Sequence, residues 1–90
     1  MPWNRTAERL TQEWHFPDFR TAWRFLEAVA AEAERRDHHP GIWNEYGYVR
    51  LELRTHDAGN RVTERDERLA RAIDRIAAAM GAEDARGQLS

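Results

Sequence analysis

The apolar residues between Leu10 and Arg36 change period at Pro17-Asp18, and that change dictates a strand followed by a helix. Before it, Leu10, Gln12, Trp14 and Phe16 alternate with Thr11, Glu13 and His15. That is the period of two in which successive side chains leave opposite faces of a strand. After it, Ala22, Phe25 or Leu26, Val29 and Ala33 recur at steps of three and four, while Arg20, Arg24, Glu27, Glu32 and Arg35 take other directions. This predicts an amphipathic helix with one buried stripe, ending near Arg36. Pro17 stops the strand, and Asp18 can cap the helix because its carboxylate accepts backbone N–H groups that the first turn leaves without partners. Trp14, Trp23 and Phe25 are expected in the core, and His15, on the polar side of the strand, at the surface.

The helix cannot continue beyond His39, because Pro40 disfavours helical geometry in the residue before it and Gly41 loosens the chain further. Ile42 to Thr55 reads as strand, with an interruption near Gly47. From Tyr48 the alternation places Val49, Leu51, Leu53 and Thr55 on one face and Tyr48, Arg50, Glu52 and Arg54 on the other. His56 to Arg61 is a loop by its turn residues, after which Thr63-Glu64-Arg65-Asp66 matches a variant capping box opening a second helix. Leu69, Ile73, Ile76 and Met80 form its apolar stripe, and the tail from Gly81 is expected to fray. Residues 1 to 9 carry little pattern beyond Trp3. The expected architecture is α+β: an antiparallel β-sheet with α-helices packed on one face, in a single small domain spanning residues 1–90.

Ninety residues bury a limited core, so a partner surface would help stabilise the chain and a homo-oligomer is expected. Every basic residue is arginine, the formal net charge is -2, and the arginines are interspersed with acids, which argues against a nucleic-acid partner. The absence of cysteine removes disulfides, thiolate zinc sites and thiol nucleophiles. Nothing resembles a signal peptide or a membrane span, so a cytoplasmic protein with no membrane association is expected.

Two of the four histidines, His38 and His39, stand together at the exit of the first helix, and a third, His56, follows the long strand. An imidazole titrates near pH 6.5, so it can donate or accept a proton near neutrality with little tuning. If the helix exit and the strand end meet, His38 or His39 would oppose His56 across a pocket, one protonating a leaving hydroxyl while another removes a proton. The plainer reading is that the pair solvates a helix terminus, where a positive imidazole is favoured. Asp37 could be a solvent-facing neighbour, Glu34 an arginine's partner and Asp66 a helix cap. His38, His39, His56 and Asp37 hold enough donors for a zinc ion, but adjacent histidines diverge in direction and lack one-turn spacing, so no metal is expected. Trp43 and Tyr46, just after the turn, could wall an aromatic substrate or simply pack.

Taken whole, the spacing is Glu34-x-x-x-His38-His39-Pro40, five residues to Tyr46, nine to His56 and nine more to Asp66. This pattern resembles the signature of the pterin-4a-carbinolamine dehydratases. The flanking text agrees: Trp14-His15-Phe16-Pro17-Asp18-Phe19, Thr55-His56-Asp57-Ala58-Gly59 and Thr63-Glu64-Arg65-Asp66, with coverage from about Leu10 to Ala79. The resemblance implies an α+β fold, dimers or tetramers, and a dehydration without metal or other cofactor. Its substrate would be a 4a-hydroxytetrahydropterin, the hydroxylated cofactor leaving an aromatic amino-acid hydroxylase, and its product the quinonoid dihydropterin. By the same resemblance His38, His39 and His56 are the catalytic histidines. Pro40 closes one substrate-contact segment, Thr55 to Ala58, including Asp57, form the second, and Glu34, Asp37 and Asp66 are supporting carboxylates.

Two departures accompany the resemblance. The helical segment that usually precedes the first strands is mostly missing ahead of Leu10, and the loop Asn60-Arg61-Val62 is slightly longer than in close relatives. The family also resembles a dimerisation partner of a homeodomain transcription factor in animals, and related folds serve as assembly factors for a carbon-fixing enzyme. A non-enzymatic dimerisation or assembly role is therefore the alternative. The assembly relatives generally lack the histidine set, which this chain retains.

Overall fold

The computed structural model describes residues 3–81 and 83–84. Its sheet is antiparallel throughout, built from β1 (Asn4–Arg5), β2 (Leu10–His15), β3 (Gly41–Glu45), β4 (Tyr48–Leu53) and β5 (Glu83–Asp84). In space β4 lies between β3 and β2, while β1 and β5 pair with opposite ends of the remaining edge of β2. Helices α1 (Phe19–Arg36) and α2 (Glu64–Ala79) supply the second layer. The α+β architecture expected from the patterning is the one observed.

Register explains why the helices occupy one face. Leu10 opposes Leu53, Gln12 opposes Leu51 and Trp14 opposes Val49, so the apolar positions of β2 and β4 coincide. Leu10, Trp14, Val49, Leu51 and Leu53 form one cluster with Ala22, Phe25, Leu26 and Val29 of α1 and Leu69, Ala70, Ile73 and Ala77 of α2, while Gln12 is a buried polar residue on the same face. Phe25 sits at its centre, its ring 5.0 Å from those of both Trp14 and Phe16. The opposite face carries Thr11, Glu13, Arg50 and Glu52, along with Tyr48, whose hydroxyl donates to Glu13 Oε2 at 2.7 Å.

Helix α1 starts where its cap predicts, with the Thr21 N–H donating to Asp18 Oδ1 at 2.8 Å. It ends at Asp37, whose left-handed backbone (φ 50°) lets its own N–H reach the Glu34 carbonyl and the His38 N–H reach that of Ala33. Aspartate tolerates this conformation better than most side chains, so the helix closes without glycine.

The long strand divides into the β3–β4 hairpin, and Gly47 is the reason. A Cβ there would lie 2.1 Å from the carbonyl oxygen of Phe16, whose N–H donates to the Gly47 carbonyl at 2.8 Å. The hairpin turn is thus pressed against the end of β2.

Three expectations need correction. Trp23 is 50% exposed rather than in the core, because it lies one position past Ala22 and stacks instead on Phe19, one turn earlier. Asn4–Arg5, in the segment without pattern, forms a short strand on β2. Glu83–Asp84 also pairs with β2, whereas the rest of the tail expected to fray, apart from Gly81, lies outside the described residues. Two-residue strands are too short to show a period, so backbone pairing alone reveals them.

Candidate active site

Three segments converge at the first turn of α2. The helix exit at Asp37 delivers His38 inward, and the residue is buried to 7% exposure. The end of β4 continues to Thr55, also buried, which a bridge to Arg61 fixes at the mouth of the following loop. A 3₁₀ turn, His56–Ala58, starts immediately after it. Asp66, at the third position of α2, is fully buried and bonds both His38 and Thr55.

The carboxylate of Asp66 is shared between two tasks. Its Oδ2 accepts the Thr63 N–H at 2.9 Å, which completes the capping box, and the Thr55 hydroxyl at 2.8 Å. Its Oδ1 lies 2.6 Å from His38 Nε2. A carboxylate at this position only accepts, so the Nε2 nitrogen carries the proton and donates. Neutral His38 is therefore held as the Nε2–H tautomer, with Nδ1 keeping its lone pair. Asp66 thus caps its helix and bonds a histidine with the same carboxylate.

Thr55 has one hydroxyl proton, and Asp66 takes it. The Thr63 hydroxyl, 2.6 Å from Thr55 Oγ1, then supplies its own proton to the Thr55 oxygen. Both threonines are satisfied, and Asp66 receives three donors in a site without solvent. A buried charge is tolerable under those conditions.

His39 and His56 are exposed. His39 Nε2 lies 2.6 Å from Glu34 Oε2, a pair at the exposed end of α1. His56 opens the 3₁₀ turn. Asp37 is exposed, among the described residues its carboxylate has no hydrogen bond to a histidine, and its left-handed backbone ends the helix just ahead of His38. Pro40 and Ala58 are half-buried beside the histidines they adjoin, and the Asp57 side chain is exposed.

Arg65, which no spacing argument singles out, also joins the constellation. Its Nη2 donates to the Asp37 carbonyl at 3.0 Å and its Nη1 lies 3.5 Å from Asp57 Oδ1. One guanidinium therefore spans the helix exit and the 3₁₀ turn, the two segments that carry the histidines. A depression lined by Arg36, His38, Arg65 and Arg68 opens beside it. The signal available in the sequence was position alone: Arg65 precedes Asp66 on the same helical turn. Trp43 and Tyr46 are 65% and 67% exposed on and beside the edge strand, so neither is ordinary packing. Among the described residues no cluster of three or more metal-ligating side chains occurs.

The model of the family described as pterin 4 alpha carbinolamine dehydratase matches residues 1–76, which include every residue of this constellation. The chain belongs to that family. A protein of Nitrobacter winogradskyi named "Putative pterin-4-alpha-carbinolamine dehydratase" is 47% identical over 81 residues, covering 88% of this chain and 79% of that protein. A protein of the same name from Bradyrhizobium sp. is 49% identical over 73 residues, covering 81% of this chain and 72% of that one.

Among solved structures, the transcriptional coactivator/pterin dehydratase from Brucella melitensis superposes with a TM-score of 0.79 at 40% identity, covering 83% of this chain and 81% of its own. A pterin dehydratase-like protein, identified as a RuBisCO assembly factor in the alpha-carboxysome, superposes with a TM-score of 0.70 at 25% identity, covering 86% and 90%. The family fold thus carries more than one role among its members. Among the described residues, no helix of this chain is long and apolar enough to cross a membrane.

Proposed function

We propose that this protein dehydrates 4a-hydroxytetrahydropterin to quinonoid dihydropterin and water. The observation that carries the reading is the buried Asp66–His38 pair, which holds one imidazole in a single tautomer while His39, the next residue, and His56, which follows Thr55, are exposed. A structural role would need neither the tautomer nor His39 and His56.

The reaction removes a proton from N5 and breaks the C4a–O bond. The electron pair left on N5 forms the C4a=N5 double bond, and the hydroxyl departs as water after taking a proton. His38, His39 and His56 are the residues that exchange those protons. Neutral His38 presents Nδ1 as an acceptor and, once protonated, as a donor, with the imidazolium paired to Asp66. His39, polarised by Glu34, offers the same pair of states at the surface. Pro40 and the Thr55–Ala58 segment border the substrate. The chemistry calls for neither metal nor cofactor, since the pterin supplies its own electron pair. The pterin is the small-molecule partner, an aromatic amino-acid hydroxylase is the natural source of it, and the working form is a homodimer or homotetramer in the cytoplasm.

A stopped assay of 4a-hydroxytetrahydropterin dehydration by the purified protein, with and without chelator, tests this. Dehydration that survives chelation supports it, and no rate above the spontaneous one at any protein concentration refutes it. That second outcome would favour an assembly or dimerisation role, which the likeness to the RuBisCO assembly factor makes the specific alternative.

A further inference from the structure

Thr55 adjoins His56 in the segment that borders the proposed substrate, yet its side chain faces away from solvent. The residue is 3% exposed, on the face of β4 shared by Val49, Leu51 and Leu53. Its hydroxyl donates to Asp66 Oδ2 at 2.8 Å and accepts from Thr63, 2.6 Å away. Donor and one acceptor lobe are therefore both used inside the protein. We infer that Thr55 is a positioning residue, acting on the reaction through Asp66 and His38 rather than by touching the pterin with its hydroxyl. This rests on the proposed dehydration.

The physical reason lies in how a carboxylate rotates. Asp66 has two oxygens and three donors to serve, and the side chain turns about one terminal torsion that is soft when unconstrained. The Thr63 N–H alone would fix Oδ2 at one point and leave Oδ1 free to swing. The Thr55 hydroxyl, arriving from a different element, pins the same oxygen a second time and so sets the direction in which Oδ1 meets His38 Nε2. The sheet, through Thr55, thereby contributes to the orientation of an imidazole that α1 delivers. Threonine suits the position because its methyl group packs on the inner face of the sheet while its hydroxyl reaches the helix.

Substitutions separate this role from substrate contact and from simple support. T55V keeps the shape and removes the donor, whereas T55S keeps the donor and removes a methyl group. Loss of one hydrogen bond to a charged group predicts that T55V lowers kcat about tenfold with KM held within about twofold, and that T55S recovers most of the rate. In ¹⁵N NMR spectra His38 should show one protonated Nε2 in the wild type and T55S, and a mixture of tautomers in T55V.

A rise in KM with kcat preserved in T55V would overturn the inference in favour of direct substrate contact. An unchanged rate, or a T55V defect that T55S shares, would overturn it in favour of packing. If the wild-type protein has no dehydratase activity, the proposed function fails and the kinetic role fails with it. The NMR comparison then decides separately whether Thr55 holds His38, and an identical His38 tautomer in T55V and wild type would show that it does not.

Discussion

Asp66 Oδ1 stands 2.6 Å from His38 Nε2 while the other oxygen of the same carboxylate caps the helix that carries it. A single buried charge thus joins the start of α2 to the exit of α1. Replacing it with asparagine tests the chemical half of that link. The amide NH2 would face either His38, forcing the opposite tautomer, or the Thr55 and Thr63 donors. We expect D66N to lower turnover about 100-fold, within the range of acid–base catalysis. The stability cost should be only about 1–3 kcal/mol, that of one mismatched buried partner. Denaturant melts and steady-state kinetics on the same preparation check both, and equal activity of D66N and wild type would refute the role of Asp66 in orienting His38.

The exposed histidines should behave differently. H39Q and H56Q remove side chains that carry no core packing, so their stabilities are expected within about 0.5 kcal/mol of wild type. Their turnover should fall by at least about tenfold. E34Q weakens only the polarisation of His39 and should cost less than H39Q. Full activity in both histidine variants would confine the chemistry to His38.

Gly47 tests the fold that brings these parts together. The carbonyl 2.1 Å from its missing Cβ belongs to backbone that is itself hydrogen-bonded, so neither partner can yield cheaply. G47A should destabilise by about 3 kcal/mol, the upper end for an added methyl group in a packed site. The melting temperature would then fall by more than about 10 °C. A melt within error of wild type would show that the turn relaxes freely.

Asp74 gives a pH dependence of known sign. Burial raises its pKa above the ordinary aspartate value, with the Trp3 indole N–H, 2.9 Å from Oδ1, opposing part of that shift. A raised folded-state pKa means that the folded protein holds the proton more tightly than the unfolded chain. The stabilisation is complete below the unfolded value and is lost as pH rises through the folded one. D74N removes the titration and keeps an acceptor for Trp3. Its melting temperature should exceed that of wild type at neutral pH, and the difference should shrink toward pH 4 and below, in thermal scans across that range. A difference independent of pH would exclude titration of Asp74 as its source.

Much of this architecture was legible from local signals. The switch of period at Pro17-Asp18 located β2 and α1, and Asp18 marked the helix start to the residue. Thr63 and Asp66 marked the start of α2 equally well. Such signals are local because a cap or a period involves only neighbours in the chain. Trp23 is the exception: it adjoins the apolar stripe of α1 but stacks on exposed Phe19 instead of entering the core.

The site residues could be named from their spacing but not connected. Spacing and composition are enough for the period of each main element, the caps, the absence of thiol chemistry and the order of Glu34, His38, His39, His56 and Asp66 along the chain. Packing alone shows that Asp66 bonds His38 as well as capping its own helix, that Glu34 meets His39, that Thr55 bonds Asp66, and that Arg65 spans the two histidine-bearing segments. The physical reason is separation. His38 and Asp66 are 28 residues apart, and Arg65 and Asp37 likewise. No local preference encodes such contacts; they arise when burial of one shared core brings the exit of one helix to the first turn of the other.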